Sequence, residues 1–126
     1  MKKEQLLKIG YSILKENNLN DIEIIFKNNI RGFAWYKSRK LILPEFIFRF
    51  PNCYQLYYLM HEISHFIRFE ENDFEHSKEF KEVEQSLLNR FHLKLIYKKV
   101  YPKKILNILG QVIYNSENKK KEVKND

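Results

Sequence analysis

Cysteine and long apolar runs are the two features that this chain most clearly lacks. Its single cysteine, Cys53, excludes an intramolecular disulfide and any zinc ribbon built from cysteines. No stretch approaches the roughly 20 apolar residues that a helix needs to cross a bilayer. The N-terminal segment also lacks a signal-peptide core, because Lys8, Lys15 and Glu16 interrupt its apolar residues. We therefore expect a soluble, cytoplasmic protein with no membrane partner.

Acidic residues are scarce outside one region. The net charge is +7, and the basic residues concentrate in segments 27–49 and 92–104, whereas residues 61–85 are predominantly acidic. Such basic segments are typical of solvated surfaces and also of surfaces that bind phosphates. DNA is therefore a candidate partner through these two segments.

The length and composition predict one globular domain. The chain has 126 residues, of which 44% are hydrophobic and 15% aromatic, which is enough for one core and not for two. Residues 1–114 are expected to form this domain. Residues 115–126 are polar and are expected to form a tail.

The first part of the chain is predicted to form one helix and three strands. Apolar residues at helical spacing indicate an amphipathic helix over 3–17. Short apolar stretches then predict a small meander of strands at 22–27, 33–37 and 40–43. The last two strands are joined tightly, and Pro44 ends the third.

The second part is predicted to be mainly helical, which gives an α+β fold. Residues 53–69 are apolar on nearly every side and indicate a central, buried helix with Asn52 as its N-cap. An amphipathic helix over 77–91 and a strand or extended segment at 93–97 follow. Pro102 suits the first turn of a last helix over 102–114.

The buried helix contains His61, Glu62 and His65 in a His-Glu-x-x-His pattern. Residues four apart share a helix face with Cβ atoms roughly 5–6 Å apart, so the two imidazoles can converge on one metal ion. Glu62 points about 100° away around the helix axis and can act as a general base on water at that ion. A lone histidine is more often structural, but an ionised Glu62 would be costly to bury without a function.

A catalytic zinc site needs a third protein ligand and an open position. His76 is the leading candidate, because it precedes the next predicted helix and can return over the first one. The alternatives are acidic residues of the same region: Glu70, Glu71, Glu75, Glu79 and Glu82. His92 lies beyond the second helix and has no comparable spacing, and residues 70–75 are expected to be a solvated connector. The predicted cofactor is Zn²⁺.

The segments HEISH (61–65) and HSKEF (76–80), preceded by WYKSRKLILP, resemble the SprT-like zinc metallopeptidases and the similar YgjP-like metallopeptidases. The resemblance covers about residues 3–91. It implies a compact zincin (minigluzincin-like) domain in which His61, His65 and His76 bind zinc and Glu62 is the catalytic base. Larger SprT-like proteins often carry a C-terminal cysteine ribbon, which this chain cannot build.

The expected activity is zinc-dependent hydrolysis of peptide bonds in a protein or peptide substrate, with Glu62 as general base. Strand 40–43 is expected to line the cleft and to pair with the substrate main chain. Tyr97 and Tyr101 are candidates for stabilising the oxyanion. Two alternatives remain open: a protease directed to DNA-bound proteins by the basic segments, and a zinc-stabilised interaction protein without proteolytic activity.

Overall fold

Three helices and two small sheets make up the described part of this α+β chain. The computed structural model describes residues 1–98, 107–108 and 111–115. The elements, in chain order, are α1 (Lys3–Glu16), β1 (Glu23–Lys27), β2 (Phe33–Trp35), β3 (Lys40–Pro44), a 3₁₀ helix (Glu45–Arg49), α2 (Asn52–Phe69), α3 (Lys78–Asn89), β4 (Lys94–Lys98), β5 (Asn107–Ile108) and β6 (Gln111–Asn115).

The first sheet is mixed, with the strand order β1-β3-β2. β3 is parallel to β1 and antiparallel to β2, so the expected meander in chain order is wrong. β3 is the most buried of the three strands, and at its central position Leu41, Ile42 and Leu43 are completely buried. The expectation that strand 40–43 pairs with a substrate is also wrong over residues 40–42, because β1 and β2 bond to both of its edges there.

Helix α2 is the centre of the core, as its sequence predicts. It is buried on nearly every side between Gln55 and Phe66. α1 packs closely against it at Gly10, where a Cβ atom would lie 3.1 Å from Leu59 Cδ1 and 2.6 Å from Ile24 Cδ1. Asn52 is the first helical residue rather than the N-cap, which is Pro51. Within the described ranges, no helix has both the length and the apolar character of a membrane span.

The predicted C-terminal helix, 102–114, is wrong for its described residues. Residues 107–108 and 111–115 are strands β5 and β6, in a second sheet of order β4-β6-β5. β6 runs parallel to β4, with Leu95 opposite Val112, and β-branched residues such as Val112 and Ile113 favour this extended conformation. The predicted strand 93–97 is confirmed as β4. Pro102, Tyr101 and residues 116–126 of the expected tail lie outside the described residues.

Candidate metal centre

Three imidazoles converge between α2 and the start of α3. Nε2 of His76 lies 3.1 Å from Nε2 of His61 and 3.3 Å from Nε2 of His65. One ligand atom from each residue lies within 4.8 Å of the other two. Two nitrogen ligands at about 2.0–2.1 Å from a tetrahedral zinc ion are separated by roughly 3.3 Å. The three histidines are therefore close enough to hold a metal ion, and their spacing fits a small tetrahedral one.

The imidazoles of this centre are buried, with exposed fractions of 2% for His61, 1% for His65 and 7% for His76. Burial holds the pKa of His65 well below its usual value, and a positive charge on His61 would lower it further. His65 is therefore neutral at neutral pH. A neutral imidazole has the free lone pair that a metal ion requires of its ligand.

The segment His-Ser-x-x-Phe explains how His76 reaches the centre. Ser77 is the N-cap of α3, and its hydroxyl accepts a hydrogen bond from the backbone N–H of Phe80 at 3.0 Å. Phe80 is fully buried. Its ring centroid lies 5.2 Å from that of His61, 4.5 Å from that of His65 and 4.9 Å from that of His76. One turn of α3 thus both positions the third histidine and covers all three with an apolar ring.

The other candidate third ligands lie away from this centre. The five glutamates considered from the sequence, Glu70, Glu71, Glu75, Glu79 and Glu82, are all exposed. His92 is exposed as well, in a turn where its φ is 58°. Among these described candidates, His76 is the one that the structure brings to His61 and His65.

Glu84 is a member of the centre that sequence reasoning missed. Its Oε2 accepts a hydrogen bond from Nδ1 of His61 at 2.7 Å, and the residue is fully buried. Because Nδ1 holds the proton, Nε2 is left with the lone pair that faces the other imidazoles. The available signal was the position of Glu84 on the buried face of α3, which it shares with Phe80, Leu87 and Leu88. An acidic residue on such a face needs a partner.

Glu62 lies on another side of α2, against the first sheet. It is 3% exposed. A Cβ atom on Gly32, directly before β2, would lie 2.9 Å from Glu62 Oε2 and 2.9 Å from the carbonyl oxygen of Ile42. Only a residue without a side chain allows the backbone to approach the carboxylate this closely. Burial raises the pKa of Tyr36, and the negative charges of Glu62 and Asp73 raise it further.

Asp73 makes the connector before His76 more ordered than its acidic sequence predicts. Its Oδ2 accepts a hydrogen bond from Nε of Arg68 at 2.8 Å and another from the hydroxyl of Ser77. Its Oδ1 accepts one from the backbone N–H of Glu75 at 3.3 Å. Burial opposes the ionisation of Asp73, but the hydrogen bonds from Ser77 and Arg68 outweigh it, and its pKa lies below the usual value. Asp73 therefore ties the end of α2 to the N-cap of α3.

The centre as a whole unites a three-imidazole cluster with a carboxylate on each of two helices. Glu84 of α3 is bonded to an imidazole, whereas Glu62 of α2 borders the sheet. The three imidazoles are close enough to hold a metal ion, and Glu84 orients one of them. Comparison of the chain with family models, with curated proteins and with solved structures gives no match.

Proposed function

We propose that the chain is a zinc-dependent metallopeptidase of the His-Glu-x-x-His type, with a zincin fold similar to that of the SprT-like enzymes. The observation that carries the proposal is the convergence of the three Nε2 atoms, with His76 3.1 Å and 3.3 Å from its two partners. Glu62 follows the first of these histidines directly. A three-imidazole cluster followed directly by a buried carboxylate supports a catalytic metal site better than a structural one. A structural site does not require a carboxylate at the position of Glu62.

Each residue of the centre has a role in this proposal. A zinc ion held by the three imidazoles would polarise the scissile carbonyl and lower the pKa of a water molecule to about 7. Glu62 accepts the proton of the attacking water and passes it to the leaving nitrogen. Glu84 holds His61 in the tautomer that presents Nε2, and Phe80 keeps bulk water from the imidazoles on the α3 side.

The sheet supplies the main-chain side of substrate recognition. β2 is an edge strand, and Gly32, which precedes it, lies so near Glu62 that a Cβ atom on it would be 2.9 Å from the carboxylate. An extended substrate that pairs with the outer edge of β2 would therefore pass close to the general base. In this proposal β2 takes the role that sequence reasoning gave to strand 40–43.

The decisive variant is Glu62→Gln, which keeps the shape of the side chain and removes its basicity. Zinc content is measured first, and then cleavage of an unfolded protein by wild type and variant is compared. The variant is expected to bind zinc as the wild type does and to cleave at least roughly 10²-fold more slowly. His76→Ala is the matched control, because it is expected to lose zinc as well as activity.

Two results would contradict the proposal. A Glu62→Gln protein that cleaves as fast as the wild type would remove Glu62 from the reaction. A wild type with full zinc content that cleaves neither unfolded nor DNA-bound protein would favour a zinc-stabilised interaction protein instead.

A second candidate function, DNA binding, is favoured by the cations that lie over the rings of β2. Lys27 Nζ lies 4.9 Å from the ring centroid of Trp35, and Arg31 Cζ lies 4.9 Å from that of Phe33. Paired cations and rings on a sheet are a surface on which single-stranded bases can stack while the cations meet phosphates. This pairing gives the basic segment 27–49 a specific geometry.

DNA binding is tested by the affinity for single-stranded DNA as a function of salt. We expect a steep loss of affinity with salt, and a smaller slope for the double variant Lys27→Gln, Arg31→Gln. The double variant Lys8→Gln, Lys15→Gln, at exposed positions of α1, is the control that removes the same positive charge from another surface. Absence of binding at low salt would remove this candidate.

A further inference from the structure

Three aromatic rings follow one another at the start of α2, and a fourth, from the 3₁₀ helix, lies beside them. We call these four rings, Phe46, Phe50, Tyr54 and Tyr58, the aromatic stripe. Phe50 stacks on Tyr54 with a centroid distance of 4.7 Å, and Tyr54 lies 5.2 Å from Tyr58. Phe46 lies 6.0 Å from both Phe50 and Tyr58. These distances are those of favourable aromatic pairs.

The aromatic stripe leads directly to the metal centre. At 100° per residue, His61 lies about 60° around α2 from Tyr58 in one direction and Glu62 about 40° in the other. Tyr58 therefore lies one helical turn before the centre. Its angular position around α2 is between that of His61, a proposed metal ligand, and that of Glu62, the proposed general base. Tyr57 completes the connection, since its ring centroid lies 5.6 Å from that of Tyr58 and 5.5 Å from that of His61.

The surface of the aromatic stripe is apolar although two of its rings carry hydroxyl groups. Burial raises the pKa of Tyr54, and a hydrogen bond with Tyr58 partly opposes the rise. The two tyrosines thus engage each other through their hydroxyl groups, and the ring surface that the stacking leaves uncovered is apolar. Phe50 is 45% exposed, and the other three rings are half-buried. A partly exposed row of rings beside a reactive centre is suited to hold an apolar side chain.

We propose that the aromatic stripe determines substrate specificity, by binding a large apolar side chain, aromatic or branched aliphatic, that lies next to the cleaved bond. This inference rests on the proposed peptidase function and names its substrate class. Main-chain pairing along β2 cannot distinguish one side chain from another, so the selection comes from the stripe. Transfer of a phenylalanine or leucine side chain from water to such a surface corresponds to a preference of roughly 10–100-fold over serine.

The test uses binding rather than turnover. Glu62→Gln protein with added zinc is titrated against two fluorescein-labelled short peptides of equal charge, with a central Phe-Leu or Ser-Ser pair, and fluorescence anisotropy is recorded. We expect the Phe-Leu peptide to bind roughly 10–100-fold more tightly. Adding Phe50→Ser or Tyr54→Ser is expected to remove most of that preference, whereas Tyr54→Phe, which keeps the ring, preserves it.

Phe74→Ser is the matched control for loss of an exposed ring. Phe74 is 37% exposed and packs on Tyr36 and Phe69, away from the aromatic stripe. This variant is expected to keep the full preference. Because Phe50 is similarly exposed, Phe50→Ser should fold, and zinc content and circular dichroism check each variant.

The outcomes separate this inference from the proposed function. Equal affinity for the two peptides, or a preference that survives both Phe50→Ser and Tyr54→Ser, overturns the role of the stripe. Equal cleavage of both peptides by the wild type also overturns the role of the stripe, but it supports the peptidase function. A preference that depends on the stripe, in a wild type that cleaves neither these peptides nor unfolded or DNA-bound protein, supports binding of apolar side chains by the stripe and contradicts the peptidase function.

Discussion

Glu84 lies on the buried face of α3, and its charge is expected to affect metal binding at the centre. It is fully buried and bonded to Nδ1 of His61 at 2.7 Å. Replacement by glutamine keeps the volume and removes the charge that holds the imidazole. We expect Glu84→Gln to weaken zinc binding roughly 10–100-fold, as measured by competition with a chromophoric chelator. Glu82→Gln, exposed on the same helix, should not change the affinity, and equal losses in both variants would contradict the assignment.

Gly32 lies beside the other carboxylate of the centre, that of Glu62. An alanine Cβ there would lie 2.9 Å from Glu62 Oε2 and equally close to the backbone oxygen of Ile42. An alanine would therefore displace the carboxylate of Glu62 and also force a small shift of the backbone at Gly32 or Ile42. We expect Gly32→Ala to retain zinc and to lower kcat by at least roughly 10-fold, because a small displacement of Glu62, the proposed general base, is costly. Zinc stoichiometry and steady-state rates on the same preparation check this, and an unchanged kcat would count against contact with the general base.

The predictability of individual residues follows from how local their interactions are. His61 and His65 are related by the helix repeat, so their convergence can be predicted from sequence alone. His76 could be preferred over the glutamates only through motif and spacing. The contacts of Glu84 and Gly32 depend on how α3 and β2 dock against α2, and no local pattern records that docking. The sequence therefore predicted the imidazoles and missed the groups that orient the chemistry.

Among the elements, the connector between α2 and α3 depends on Asp73. Its pKa is lowered in the folded protein, so ionised Asp73 stabilises the fold at any pH above the unfolded value of about 3.9. That contribution is lost as the pH falls through the lowered folded pKa. Asp73→Asn should therefore reduce the free energy of unfolding at pH 6 by about 1–2 kcal/mol.

Urea denaturation of wild type and Asp73→Asn between pH 6 and pH 3 measures this contribution. The difference between the two proteins is expected to begin to shrink below about pH 4, where Asp73 of the unfolded chain becomes protonated, and to go on shrinking as the pH approaches the lower pKa of the folded state. Glu71→Gln, at an exposed position of the same connector, is the control. A wild-type advantage that persists undiminished at pH 3 would show that charge on Asp73 is not its source.

At the same scale, the elements that sequence misassigned are those whose apolar residues fit two periodicities. Ile108, Val112 and Ile113 fit a helical face, but they are also β-branched and suit a strand. Pairing with β4 decides in favour of strands, and that partner is not visible in a local pattern. α2 was predicted correctly because residues 53–69 are apolar on nearly every side, which indicates a buried helix. The order of the first sheet likewise depended on which strand is most buried.

For the molecule as a whole, the centre is a second polar link between α2 and α3, besides the hydrogen bonds of Asp73 to Arg68 and Ser77. Zinc that binds only the folded state stabilises it by about 4 kcal/mol at a concentration 1,000 times Kd. For a chain of this size that corresponds to a rise in Tm of roughly 10 °C or more. Differential scanning calorimetry with zinc and with a chelator is the measurement.

Two histidine variants make this experiment specific. His76→Ala should abolish the zinc-dependent rise in Tm, because one of the three converging imidazoles is lost. His92→Ala should leave the rise intact, since His92 is exposed and lies in a turn beyond α3. A rise of equal size in both variants would place the ion elsewhere.

The turn that opens α3 also constrains when the ion can be captured during synthesis. His61 and His65 leave the ribosome well before His76, and the ring of Phe80 that covers all three imidazoles follows four residues later. A nascent chain that ends within α2 offers two imidazoles in an unshielded helix. Loading of the proposed zinc ion would then be a late event of biogenesis, coupled to the emergence and docking of α3.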